Sequence, residues 1–165
     1  MAVKKKFPYR AAFVACNGSC RKDGENKCKY GCLGCGKCVE GCKFGAISIG
    51  PSGMAVADEE KCVACGKCVG MCPQGIIHLH ECGNRILVKC SNKDKGKDAR
   101  AVCPVSCIGC GICEKACTAG AITVKDNCAS IEEKYCLNCG ICAVKCPRHA
   151  IVDTKGILTA GLFSI

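Results

Sequence analysis

A chain of 165 residues with 23 cysteines, no tryptophan, 4% aromatic residues and a formal charge of +10 cannot fill a conventional core with large side chains, and units this small need staples. No apolar run approaches the roughly 20 residues of a membrane helix, so no membrane insertion is expected. Met1-Ala2-Val3-Lys4-Lys5-Lys6 and the short apolar run Ala11 to Ala15 make no signal segment, and the cysteine total is odd; a secreted disulfide scaffold is excluded in favour of a reducing cytoplasm.

In chain order, Cys16, Cys20 and Cys28 precede a first C-x2-C-x2-C-x3-C run, Cys32, Cys35, Cys38 and Cys42. Ile47 to Ile49 and Met54 to Val56 are short apolar stretches joined by Gly50-Pro51-Ser52-Gly53, and read as two strands with a turn. A second run follows, Cys62, Cys65, Cys68 and Cys72 with Pro73, then strands at Ile76 to Leu79 and Ile86 to Val88, which flank Cys82. Ser91 to Arg100 reads as a solvated linker, with a docking patch for an acidic redox partner as the sharper alternative. The third run is Cys107, Cys110, Cys113 and Cys117, and Ala121 to Val124 is its strand. The fourth is Cys136, Cys139, Cys142 and Cys146 with Pro147, followed by a strand at Ala150 to Val152. Thr154 to Ile165 is an apolar tail that either completes a sheet or docks on another subunit.

Sixteen of the 23 cysteines thus stand at the spacing by which thiolates hold 4Fe-4S clusters. In two-cluster ferredoxins the fourth cysteine of each run ligates the other cluster. The expected ligand sets are therefore Cys32, Cys35, Cys38 with Cys72; Cys62, Cys65, Cys68 with Cys42; Cys107, Cys110, Cys113 with Cys146; and Cys136, Cys139, Cys142 with Cys117. Lys43 and Thr118 stand where a proline would follow the fourth cysteine; proline ligates nothing, so ligation is unaffected.

The chain repeats at a period of 74 to 75 residues: Cys16 maps to Cys90, Cys28 to Cys103, Cys32 to Cys107 and Cys62 to Cys136. The fold class is α+β, two tandem dicluster ferredoxin-like units, 1–90 and 91–165. Each would hold small antiparallel sheets and a short helical turn after each third cysteine. Cys16, Cys28, Cys90 and Cys103 form two related pairs, a candidate fifth cluster site across the pseudo-dyad; simple burial is the alternative. Cys20 is an alternative fourth ligand there, and Cys82 and Cys128 read as structural.

Four oxidised clusters, each a +2 core in four thiolates, add 4 × (−2) = −8 to the +10 and leave about +2. The lysines thus compensate cluster charge, and no nucleic-acid partner is expected. The triads Cys28, Cys32, Cys35 and Cys103, Cys107, Cys110 match the radical SAM spacing, but each runs on into a third ferredoxin cysteine with no room for a barrel. No G-x-G-x-x-G follows a strand, so no flavin or nucleotide site is expected. His78, His80 and His149 read as packing residues.

The runs Phe13-Val14-Ala15-Cys16-Asn17-Gly18, Cys28-Lys29-Tyr30-Gly31-Cys32-Leu33-Gly34 and Val88-Lys89-Cys90-Ser91-Asn92-Lys93-Asp94-Lys95-Gly96, with Cys107-Ile108-Gly109-Cys110-Gly111, resemble the long form of the B subunit of the Rnf electron-transport complex. The resemblance implies electron transfer between reduced ferredoxin and a flavin- or NAD-linked partner. Family members often carry Leu where Cys35 stands, and usually begin with a membrane helix and an additional cluster domain, neither of which this sequence shows. The expectation is a cytoplasmic electron-wire subunit of a hetero-oligomeric anaerobic oxidoreductase. It has no catalytic site of its own, and it relays single electrons between a flavin- or NAD(P)H-binding module and ferredoxin or a catalytic subunit. A free-standing polyferredoxin shuttle is the alternative; an iron-sulfur redox sensor or a thiolate metal store is the alternative of another class. Anaerobically prepared protein should contain at least about sixteen irons per chain, four for each of four clusters; stoichiometric zinc in their place would refute the wire.

Overall fold

The computed structural model describes residues 9–22 and 25–156, in two compact units, Met1–Gly83 and Asn84–Ile165. The lysine run near the N-terminus and residues 157–165 of the apolar tail lie outside the described residues. The expected boundary after residue 90 would assign the strand Ile86–Val88 to the first unit. That strand pairs with Ile151–Asp153 and belongs to the second.

The first unit opens with β1 (Arg10–Val14), then a small hairpin of β2 (Arg21–Lys22) and β3 (Glu25–Asn26), α1 (Lys37–Glu40), β4 (Ile47–Ile49), β5 (Ala55–Ala57), α2 (Lys67–Met71) and β6 (Ile77–Glu81). The expected Gly50–Gly53 turn closes β4 onto β5, with Gly50 N–H on the Met54 carbonyl at 2.8 Å. β1 pairs antiparallel with β6, Ala11 opposite His80 and Phe13 opposite His78. Small residues at Ala11 and Ala12, almost fully buried, let β1 lie close against the rest of the unit. Phe13 packs on both imidazoles, and the buried His80 places Nε2 3.3 Å from Glu59 Oε1.

The second unit runs β7 (Ile86–Val88), α3 (Gly96–Val102), α4 (Ile112–Ala116), β8 (Ile122–Lys125), β9 (Cys128–Ile131), a 3-10 turn (Glu133–Tyr135), α5 (Ile141–Lys145) and β10 (Ile151–Asp153). Its core joins Ile86, Ile122, Ala129, Ala143 and Ile151 to two cysteines, Cys113 and Cys142. Arg85 ties the ends together: its Nε lies 3.6 Å from the buried Asp153 carboxylate, and its backbone N–H and Nη2 donate to Asn138 Oδ1 and the Asn138 carbonyl, each at 3.1 Å.

Every sheet among the described residues is a two-stranded antiparallel pair. Four helices are single turns that begin one residue before the third cysteine of each run, so that they contain it rather than follow it. Ser91 to Arg100 is not wholly a linker. Asn92 Oδ1 accepts the Asp94 N–H at 2.7 Å, and from Gly96 the chain is helical, because Ala99 is fully buried and Ser106 Oγ caps its carbonyl at 2.8 Å. Among the described residues, no helix is long and apolar enough to cross a membrane.

β8 and β9 are joined by Asp126 and Asn127, both at positive φ (48° and 60°), the geometry that tight hairpins favour. This turn touches the third run. A Cβ on Gly109, at φ 64°, would lie 2.9 Å from Asn127 Cα, which is backbone and cannot yield. Gly109→Ala therefore meets both strain and a clash and should destabilise by about 2 kcal/mol, whereas Gly36→Ala, at φ 77° with open space around it, should cost about 1 kcal/mol. Thermal loss of iron-sulfur absorbance should rank the two variants in that order.

Candidate metal centres

Each cysteine run bends through two left-handed residues. The first precedes the second cysteine (Gly34, Ala64, Gly109, Asn138; φ 54° to 69°) and the second precedes the helical turn (Gly36, Gly66, Gly111, Gly140; φ 71° to 77°). Bends of this kind turn successive backbone N–H groups toward one concave side, where they favour anions. The helical turn then buries the third cysteine, Cys38, Cys68, Cys113 or Cys142, while the second, Cys35, Cys65, Cys110 or Cys139, stays at the surface.

In the first unit this builds a recess lined by Cys32, Cys35 and Cys38 of the first run and by Cys72 of the second. Val14, Ile49, Ala55, Ile76 and Ile77 supply its apolar walls. The second unit repeats it: Cys107, Cys110 and Cys113 share a recess with Cys146, walled by Val124, Ala129 and Ile151. Two further groups form around the other buried thiols. Cys68 has the Cys62, Cys65 and Cys42 sulfurs around it, and Cys142 has those of Cys136, Cys139 and Cys113. Cys117, expected in this last set, is half-buried and accepts the Ala121 N–H at 3.3 Å.

Backbone donors meet these sulfurs at 3.3 Å: Ala55 N–H on Cys32, Ala12 N–H on Cys62 and Ala46 N–H on Cys42. The buried third thiols, by contrast, resist ionisation. Burial, and then the surrounding thiols, push Cys38 and Cys68 up, and burial pushes Cys113 and Cys142 to about 11. A lone catalytic thiolate needs the opposite shift. Four sulfurs in one apolar recess lose their protons together only to a cation, and binding such a group releases those protons. The recesses, their backbone donors and the all-thiolate ligand set fit an iron-sulfur cluster. Among the described residues, no three His, Cys, Asp or Glu side chains gather closely enough to hold a single metal ion.

The remaining cysteines are distributed differently in the two units. Cys16, Cys20 and Cys28 are all buried in the first. The Cys20 thiol donates to Cys28, which also accepts the Tyr30 and Gly31 N–H groups and is thereby lowered to about 6. In the second unit Cys90 accepts the N–H groups of Asn92 at 3.4 Å and Cys107 at 3.3 Å, and Cys128, expected to be merely structural, lies beside both Cys90 and Cys107. Cys103 caps α3, its carbonyl accepting Ser106 Oγ at 3.1 Å and Arg148 Nη2 at 2.9 Å. The Cys20–Cys28 and Cys128–Cys107 contacts carry no signal in the sequence, because neither pair follows a motif or is repeated in the other half.

Residues 31–76 match the 4Fe-4S dicluster domain family, and residues 104–120 and 133–154 match the 4Fe-4S binding domain family. The chain is 46% identical over 129 residues to the B subunit of the ion-translocating oxidoreductase complex of Methanosarcina acetivorans, covering 78% of this chain and 49% of that protein. It is 37% identical to the B subunit of the proton-translocating ferredoxin:NAD(+) oxidoreductase complex of Clostridium ljungdahlii, over 78% of this chain and 45% of the other. Against the B subunit of the Na(+)-translocating ferredoxin:NAD(+) oxidoreductase complex of Acetobacterium woodii the identity is 47%, over 74% and 35%. The chain thus spans half or less of the length of these relatives.

The shared recess makes the crossing of ligands testable. Cys72→Ser should cost the loaded protein up to about four irons and open Cys35 to alkylation, while Cys65, in the same run as Cys72, stays protected. Alkylation of Cys65 with Cys35 protected would show that the runs do not cross.

Proposed function

The chain is an RnfB-like protein built from 4Fe-4S ferredoxin-type domains, and from that premise we propose that it relays single electrons as the iron-sulfur subunit of a larger oxidoreductase. The observation that carries this reading is the recess in which Cys32, Cys35 and Cys38 face Cys72, repeated by Cys107, Cys110 and Cys113 with Cys146. We assign those eight cysteines to two 4Fe-4S clusters, and Cys62, Cys65, Cys68 with Cys42, and Cys136, Cys139, Cys142 with Cys117, to two more. When bound, such clusters supply reversible one-electron chemistry at potentials set by charge, hydrogen bonds to sulfur and solvent exposure.

The residues do the rest. The buried Val14, Ile76 and Ile77 exclude water on the inner side of the first recess. Ala55, Ala12 and Ala46 direct N–H groups at sulfur, where negative charge would otherwise be uncompensated. The exposed Cys35, Cys65, Cys110 and Cys139 bring one sulfur of each set to the surface, which shortens the path to a docked donor or acceptor. The two recesses are lined mainly by sulfur and aliphatic carbon, with Gln74 the one polar side chain of the first and Arg148 that of the second.

The partners we propose are a ferredoxin on one side and a flavin- or NAD(P)H-binding subunit on the other, in a hetero-oligomer. Rapid mixing of the oxidised, loaded chain with a reduced 4Fe-4S ferredoxin should give one-electron reoxidation of the ferredoxin and a paramagnetic signal in the chain. Mixing with NADH alone should give neither. Full iron with no electron exchange from any low-potential ferredoxin would overturn the relay.

A further inference from the structure

Around Cys32 and Cys107, which stand 75 residues apart, the two halves can be compared, since an offset of 74 maps Gly18 onto Asn92, Met54 onto Cys128 and Ala55 onto Ala129. The backbone is matched: Ala55 N–H donates to Cys32 Sγ at 3.3 Å, and Ala129 N–H donates to Cys107 Sγ. The preceding side chain is not. Met54 is buried, its thioether has no hydrogen to donate, and it fits because position 18 is glycine: a Cβ there would lie 2.8 Å from Met54 Sδ. In the second unit Asn92, 1% exposed, takes the place of that glycine, and position 128 is the much smaller cysteine.

Cys128 has one proton and three acceptors in reach, the sulfurs of Cys107 and Cys90 and, at 3.4 Å, the Cys90 carbonyl. Both sulfurs also accept backbone N–H groups, Cys90 from Asn92 and Cys107, and Cys107 from Ile108, Gly109 and Ala129, so occupancy does not separate them. Cys107, as a ligand, bears the thiolate charge that makes the strongest acceptor. We propose that Cys128 is a positioning residue that acts through Cys107, its S–H raising the reduction potential of the cluster held by Cys107, Cys110, Cys113 and Cys146 above that of the cluster held at Cys32, where Met54 offers no donor. Reduction adds a negative charge that a donor to sulfur stabilises more than it stabilises the oxidised form, so the sign follows from electrostatics. The inference rests on the ligand assignment proposed above.

The test is an EPR-monitored redox titration of the anaerobically loaded full chain, with iron measured for each variant. Cys128→Ala should move one titrating component to more negative potential and abolish an exchangeable-proton coupling to that reduced cluster. Cys128→Ser, which keeps an O–H donor, should retain the coupling and stay near the parent value. Met54→Cys should move a different component to more positive potential. Full iron with unmoved potentials in both Cys128→Ala and Met54→Cys overturns the inference, and so does loss of about four irons in Cys128→Ala, which would make Cys128 a ligand. A Cys107→Ser variant that keeps all its iron would instead overturn the ligand assignment.

Discussion

The structure depends on one electrostatic constraint: sulfurs that carry charge only together, gathered in recesses whose walls are aliphatic. Left as thiols they are weak hydrogen-bonding partners in an apolar setting; left as thiolates they repel one another without water to screen them. Cys113 and Cys142, held up near 11, show how strongly the folded chain opposes their ionisation unaided. A multivalent cationic core resolves the conflict, and the backbone N–H groups aimed at Cys32, Cys42 and Cys62 offset the charge that remains. The same constraint accounts for the composition, because side chains of ordinary core size would fill the recesses.

It also decides how the fold holds together. Helical turns of four or five residues are below the length at which helices persist alone, and two-stranded sheets are marginal in water. What joins them is the meeting of distant segments at sulfur: Cys72 reaches the recess of the first run, and Cys146 that of the third. Cys113 and Cys142 belong to the apolar core as well as to the sulfur groups, so the core of the second unit and its sulfur groups meet in these two residues.

Much of this was legible in the sequence because ligand spacing is a strict geometric requirement. The strands at Ile47, Ile77, Ile86, Ile122 and Ile151 were visible as short apolar stretches between turn residues. Features fixed by tertiary contact were not. β1 reads as an unremarkable apolar run until Ala11 and Ala12 are seen against β6 and the Ala12 N–H is found on Cys62. α3 is written in charged residues that suit a linker equally well, and only the burial of Ala99 and the Ser106 cap select the helix. The small hairpin of β2 and β3 occupies the matching interval of the first half, so the repeat itself misleads there. Cys128 is half-buried in a hairpin and has no cysteine counterpart, which removed both signals that mark the others.

In each unit the strand that opens it pairs with the strand that closes it, β1 with β6 and β7 with β10. The chain therefore enters and leaves a unit at neighbouring points along one ladder, and among the described residues each strand pairing is completed inside one copy. A gene segment encoding such a module can be duplicated end to end without severing a strand pair, and each copy is then free to diverge in its loops. Lengthening the relay by further tandem copies is an evolutionary route that this closure leaves open.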